Sequence, residues 1–357
     1  MELRPAVGAV CPWMKRSMED TSPPGAQQVP SYVALFESGE LRRRAEQLVQ
    51  RLGACDICPR GCGVDRLNGR VGYCSSAFEP LVAASCEHRG EEPPLSGSRG
   101  SGTVFFANCN LRCVYCQNHE ISQRPELHAR DAVTAGGLAA EMLRLQDQLR
   151  CHNINLVSPT HFVPQIVEAL LLAIPRGLRL PLVYNTNAYD SPDILRLLGD
   201  IVDVYLPDLK YSSDTVAARL SGARDYVGVS RAAIKEMYRQ VGPDLVLDEE
   251  GAVARGLIVR QLVLPGGLAG SLESLSWLAE ELSNTVTLSI MAQYYPAHLA
   301  LDMPVLSRRV TSAEYGKVVQ FAATLGFEHV WVQEPEASSY YRPDFSGPGH
   351  PFESGKG

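Results

Sequence analysis

No apolar run in the 357 residues approaches the ~18–20 needed to cross a bilayer, so a membrane-embedded role is not expected. The opening stretch, MELRPAVGAVCPWMKRSMED, lacks the long apolar segment of a signal peptide, so a cytoplasmic protein is expected. Positive charge is also in deficit. With 33 Lys and Arg against 40 Asp and Glu, the net charge is −7 and the pI is about 5.7, which argues against a nucleic-acid binder built on a broad basic face. There is no low-complexity tract, and 45% hydrophobic residues against 20% charged ones exclude wholesale disorder. What the chain does have is ten cysteines. In a reducing compartment these are expected to be metal ligands rather than disulfides.

The length exceeds the usual ~100–200 residues of one domain, although a single large α/β barrel reaches it. Residues 1–30 read as a flexible N-terminal arm and 336–357 as a C-terminal tail. Residues 31–100 read as an amphipathic helix, ending near Cys55, followed by a small cysteine-rich module. From about residue 101 to 335, apolar strands alternate with helical patterns. TVFFAN, INLVS, LPLVYNT, VDVYLP, GLIVRQLVLPG and TVTLSIMAQY are the six strands, and SPDILRLLG is a helix with Ser191 at its N-cap before Pro192. Such alternation implies parallel strands with right-handed crossovers, as a barrel or as an open doubly wound sheet. Either places active-site groups at the C-terminal ends of the strands.

The stretch ANCNLRCVYCQN, just after the first of these strands, spaces Cys109, Cys113 and Cys116 as C-x3-C-x2-C. Three thiolates can hold three irons of a 4Fe-4S cubane and leave the fourth iron open for chemistry. A zinc site completed by His119 or a distant cysteine, or three unrelated buried thiols, are the alternatives.

CNLRCVYC resembles the C-x3-C-x-Φ-C signature of the radical S-adenosylmethionine (radical SAM) superfamily, with Tyr115 as its aromatic position. The resemblance implies an α/β fold of the partial (β/α)6 TIM-like barrel type. It implies a 4Fe-4S cluster on Cys109, Cys113 and Cys116, with the open iron chelated by S-adenosylmethionine. One-electron reduction, by a donor such as flavodoxin or ferredoxin, then yields methionine and a 5′-deoxyadenosyl radical that abstracts a hydrogen. YNTNAYD (184–190), LPDLKY (206–211) and IVRQLVLPG (258–266) are similar to strand-end motifs of pyruvate formate-lyase-activating enzymes and their relatives. GEEPPLSGSRGSGTVFFANCNLRCVYCQNHEIS, NINLVSPTH and the N-terminal cysteine pattern resemble a subgroup carrying that label. The likeness covers roughly residues 50–340.

These motifs supply the candidate cofactor-binding residues. Asp208 and Lys210, two apart at a strand end, point to one side and can orient a zwitterionic or ribose-bearing ligand; a surface ion pair is the plainer reading. Asn185, Thr186 and Asn187 are placed to bond sugar hydroxyls, or serve ordinary turn chemistry. The activating enzymes usually carry Asp where Asn185 stands. VSPTHF replaces the Gly-Gly-Glu stretch of many relatives, leaving Ser158 and Thr160 to reach the ligand, with His161 either a helix-start residue or a ligand or acid/base group. Arg260 suits a salt link to a carboxylate, and His298 follows the last of these strands, where relatives contact adenosine or substrate.

Upstream, CDICPRGCGVDRLNGRVGYC spaces Cys55, Cys58, Cys62 and Cys74 as a complete four-ligand set. A structural zinc knuckle, an auxiliary 4Fe-4S cluster and a zinc ribbon helped by Arg60, Arg66 and Arg70 all fit it. Cys11 and Cys151 read as small buried hydrophobes, whereas Cys86, near His88, Glu91 and Glu92 in SCEHRGEEPPLSG, is expected either to be one too or to border the active site.

The expected function is a radical SAM enzyme, with removal of an α-hydrogen from a glycine of a partner enzyme as the leading reaction. Radical modification of a small molecule, RNA or another protein residue is the alternative. So is a non-catalytic zinc-binding interaction module.

Overall fold

Short β-branched and aromatic runs, each followed by a helix, dictate the architecture. The computed structural model describes residues 29–128, 131–334, 343–345 and 350–352. Apart from residues 29 and 30, the expected N-terminal arm, with Cys11, lies outside the described residues. So does the expected tail, apart from 343–345 and 350–352.

The described residues form one nine-stranded sheet. Its strands are β1 (Val82–His88), β2 (Ser101–Phe106), β3 (Ile154–Val157), β4 (Leu182–Thr186), β5 (Val204–Pro207), β6 (Val246–Leu247), β7 (Val253–Leu262), β8 (Thr287–Met291) and β9 (Val330–Val332). They lie in the order β1-β2-β3-β4-β5-β7-β8-β9, with β6 paired to β7 outside this path. Every pair along the path from β2 to β9 is parallel, while β1 runs antiparallel to β2. A doubly wound sheet requires a point where strand order reverses. Here spatial order follows chain order from β1 to β9 with no such reversal, an order that a barrel-like sheet shares.

β2, β4, β5 and β8 are buried at every position, as expected of parallel strands covered on both faces. The six expected strands are all present, and β1, β6 and β9 are additional. Two of the additions, β6 and β9, are only two and three residues long. A run that short carries no readable periodicity, and pairing with β7 or β8 is what makes it a strand.

The amphipathic stretch before Cys55 forms two helices, Ser31–Glu37 and Glu40–Gln50, rather than one. Gly39 breaks it with a φ of 79°, a backbone state that favours glycine. Tyr32, Leu41, Ala45 and Leu48 of these helices are buried in the main core, and the Tyr32 hydroxyl donates to the Leu180 carbonyl at 2.8 Å. The N-terminal segment is thereby fastened to the helical layer of the sheet. Ser191 does precede Pro192 at the start of the helix Pro192–Leu197, but its side chain makes no capping hydrogen bond. Thr311 does cap, in a reciprocal box with Glu314.

β2 aims the cysteine loop, and Gly102 lets it lie close to its neighbour. A Cβ at Gly102 would stand 2.6 Å from the Asn153 carbonyl oxygen, closer than backbone atoms can yield.

Candidate active site

Each parallel strand ends at the same mouth. A cavity of about 400 Å³ opens there, within the roughly 300–1,000 Å³ of small-molecule sites, and each parallel strand or the loop that follows it contributes to its lining. The loop after β2 contributes Cys109, Cys113, Tyr115 and Cys116. Ser158 follows β3, and Asn185, Thr186 and Asn187 close β4. Asp208 and Lys210 follow β5, Arg260 comes from β7, and Ser289 from β8.

The three thiols are free and partly open, and each sulfur meets a hydrogen-bonding group from a different part of the chain. Ser221, the last residue of the helix Asp214–Ser221, donates to Cys113 Sγ at 2.9 Å. The Leu111 amide and Asn187 Nδ2 both reach Cys109 Sγ at 3.4 Å, and Ser122 Oγ lies 3.2 Å from Cys116 Sγ. Burial pushes the Cys109 thiol up to about 11 and the Cys116 thiol to about 12. Such thiols become thiolates only where positive charge compensates.

Tyr115 belongs to the same network. Its hydroxyl lies 2.6 Å from that of Tyr211, which lies 2.6 Å from Ser221 Oγ. Each hydroxyl has one proton. With Ser221 donating to sulfur, Tyr211 must donate to Ser221 and Tyr115 to Tyr211. The aromatic position of the loop therefore stiffens the seat of Cys113.

The opposite wall is ionic. A parallel bridge sets Asp208 beside Arg260. Arg260 Nε donates to Asp208 Oδ1 at 2.7 Å and Lys210 Nζ to Asp208 Oδ2 at 2.8 Å. Burial alone would raise the Asp208 carboxyl, but Arg260 and Lys210 together outweigh it and hold it below the ordinary range. Arg260 also reaches Glu91 at 3.3 Å and donates to Asn185 Oδ1. Burial raises the carboxyls of Glu91 and Glu92, with Arg260 opposing in both.

Some expected residues lie elsewhere. Thr160 does not line the cavity; its hydroxyl donates to Asp190 at 2.7 Å. Thr186 lines the cavity, yet its hydroxyl also donates to Asp190, at 2.6 Å, and Tyr184 adds a third donor at 2.9 Å. Tyr184, Thr186 and Asp190 of YNTNAYD thus build, with Thr160, a buried polar knot. His298 does not line the cavity either. It stacks on His119 with ring centroids 4.8 Å apart. Ser158 does border the cavity, in a left-handed backbone state with φ of 56° that turns the chain at the end of β3.

Sequence reading assigned no role to Glu91, Glu92, Tyr211 or Ser221. The acidic pair in GEEPPL was the only local signal, since a hydroxyl at a helix end and a tyrosine in the loop after β5 carry none.

The fold is a largely parallel α/β sheet whose first βα loop carries three free cysteines at the mouth of a polar cavity. Residues 103–244 match the model of the radical SAM superfamily. The chain is 30% identical over 285 residues to an uncharacterized protein of Methanocaldococcus jannaschii, covering 78% of this chain and 76% of that one. A second uncharacterized protein of the same organism is 26% identical over 193 residues, covering 47% and 53% respectively. Among solved structures, HydG, a maturase of the FeFe-hydrogenase, aligns with a TM-score of 0.43 and 11% identity, covering 86% of this chain and 68% of that chain. The chain belongs to the radical SAM superfamily. Membership implies a 4Fe-4S cluster and S-adenosylmethionine. The three thiols, with donors facing each sulfur, fit such a cluster.

Hydrogen bonds to ligating sulfurs favour the more anionic, reduced state of a cluster and so raise its potential. Ser221→Ala is therefore expected to lower the midpoint potential of the cluster at this loop. A redox titration followed by electron paramagnetic resonance measures the shift; an unchanged potential would mean that the Ser221 contact does not tune the cluster.

Proposed function

We propose that the protein reductively cleaves S-adenosylmethionine and uses the resulting radical to abstract hydrogen from a substrate. One observation carries this reading. Three cysteines on one loop open onto a polar cavity of about 400 Å³, and among the described residues its lining holds no fourth cysteine. Three protein thiolates suit a cluster with one iron free for a ligand. When bound, the cluster supplies one electron that splits S-adenosylmethionine into methionine and a 5′-deoxyadenosyl radical.

The chain's own residues bind and orient. Cys109, Cys113 and Cys116 hold the cluster. Lys210 and Arg260 face the carboxylate end of the ligand, and Asp208 and Glu91 keep these two cations in place. Asn185, Asn187 and Ser158 line the cavity where sugar hydroxyls need partners. A low-potential donor of the flavodoxin or ferredoxin type supplies the electron in the cytoplasm. Among the described residues, no helix is long and apolar enough to cross a membrane.

Within this class, we favour glycyl radical activation, in which the α-hydrogen of a glycine in a partner enzyme is removed. Its support is the likeness of YNTNAYD, LPDLKY and IVRQLVLPG to the activating enzymes, and the polar residues these motifs bring to the cavity. Anaerobically reconstituted, reduced protein is expected to convert S-adenosylmethionine to 5′-deoxyadenosine, measured by chromatography. Full cluster content without 5′-deoxyadenosine would sink the reading. A glycyl radical signal in a partner enzyme tests the narrower step, and small molecules, RNA or other protein residues are the outcomes if none appears.

A further inference from the structure

The four-cysteine set lies apart from the cavity just described. Cys55, Cys58, Cys62 and Cys74 are free and converge around a small void that Arg66 and His161 also line. Arg66 is 1% exposed. Its guanidinium donates to the carbonyls of Ala77 and His161 and lies 3.9 Å from Cys55 Sγ. Among the described residues, no carboxylate pairs with it. A buried cation without a counter-charge is strongly unfavourable, and four thiolates around a metal centre would supply one.

His161 gives a second sign. The ring is buried. Its Nε2 meets the Ala107 carbonyl at 3.0 Å and so carries the proton. Its buried Nδ1 has no hydrogen-bond partner. Gly72 completes the cradle, because a Cβ there would stand 2.8 Å from Cys62 Sγ.

We propose that these four cysteines hold a second 4Fe-4S cluster, closed on all four irons, which passes electrons to the one at Cys109, Cys113 and Cys116. The inference rests on the reading of that loop given above. Zinc at about 2.3 Å from four sulfurs would draw them to roughly 3.8 Å from each other and leave no space at their centre. Here the thiols line an open void rather than closing on one point. Among the described residues, no three His, Cys, Asp or Glu side chains gather as the ligands of a single ion. A cubane instead spreads its thiolates over four separate irons.

Two bridges join the loops. Asn108 Nδ2 donates to the Ser75 carbonyl at 3.2 Å, linking the neighbour of Cys109 to the neighbour of Cys74. His161, which lines the void, donates to the carbonyl of Ala107, two residues before Cys109. On the other side Cys62 is only half-buried and Leu67 and Val71 are exposed, which leaves an approach for a donor. One electron from a low-potential one-electron donor reduces the closed cluster. That cluster is reoxidised as it reduces the open one, with no bond or proton exchanged.

Metal analysis of the anaerobically reconstituted wild-type chain tests the proposal without reference to turnover. About eight irons and eight sulfides per chain are expected, from two clusters of four. About four irons, with or without zinc, would overturn it. Cys58→Ala should retain about four irons at the other loop. It should lose 5′-deoxyadenosine formation driven by reduced flavodoxin while keeping that driven by dithionite. Undiminished turnover with flavodoxin in that variant would overturn the relay. Absence of 5′-deoxyadenosine in the wild type would count against the proposed function, whereas the iron count would still decide the second cluster.

Discussion

Cys113→Ala is expected to abolish the cluster of the first βα loop and S-adenosylmethionine cleavage together. Cys113 is the middle thiol of the three, and its sulfur terminates the chain of hydroxyls from Tyr115 through Tyr211 and Ser221. Two remaining thiolates cannot hold a cubane against loss of an iron, so the effect is a loss of cofactor rather than a change in its tuning. Removing a supporting hydrogen-bond partner typically costs about 10–100-fold in metal affinity or activity, and removing the ligand itself should exceed that range. Iron should fall by about four per chain, with 5′-deoxyadenosine below detection. The fold should survive, since the residue sits on a loop that is partly open. Retention of either the cluster or the cleavage reaction would refute the ligand assignment.

Asp208→Asn should produce the largest loss of stability among changes to the ionic wall. The carboxylate is flanked by Lys210 at 2.8 Å and Arg260 at 2.7 Å, all three side chains less than one-fifth exposed. Removing one partner from a buried ion pair costs about 3–5 kcal/mol, because the charge left behind has no compensation. Arg260 retains Glu91, so the lower end, about 3 kcal/mol, is expected. The folded-state carboxyl of Asp208 lies below its ordinary value of 3.8. Its contribution is therefore complete above that value and is lost as pH falls through the lower folded value. Denaturant unfolding at pH 7 should show the full deficit, and wild type and variant should converge at acid pH. A difference under about 1 kcal/mol at pH 7, the size of a surface pair, would mean that solvent screens the triad. Binding of S-adenosylmethionine should weaken as well, because Lys210 and Arg260 lose the anchor that aims them.

How much of this was legible in sequence depends on range. Six of the parallel strands and their helices follow from period and punctuation, which are local properties. β9 did not follow, because the three residues VWV acquire meaning only by lying beside β8. Asp208 and Lys210 were legible as a pair because their spacing of two at a strand end sets them on one side. Their attachment to Arg260, 50 residues beyond Lys210, was not. Thr160 had the right chemistry and the right strand end, yet the deeper carboxylate of Asp190 captures its hydroxyl. Nothing in the order of residues announces which way a short side chain turns when both directions offer a partner.

Covalent spacing is independent of folding, so the sequence by itself determined the three-thiolate loop, the separate four-cysteine set and the α/β alternation. Only the tertiary structure decided that chain order becomes sheet order, that Ser221 and Tyr211 back Cys113, and that Glu91 joins Asp208 around Arg260. It alone placed His161 and Asn108 between the two cysteine sets. These contacts join residues tens to more than a hundred positions apart, and they exist because packing the sheet against its helices forces buried polar groups to find partners wherever the fold delivers them.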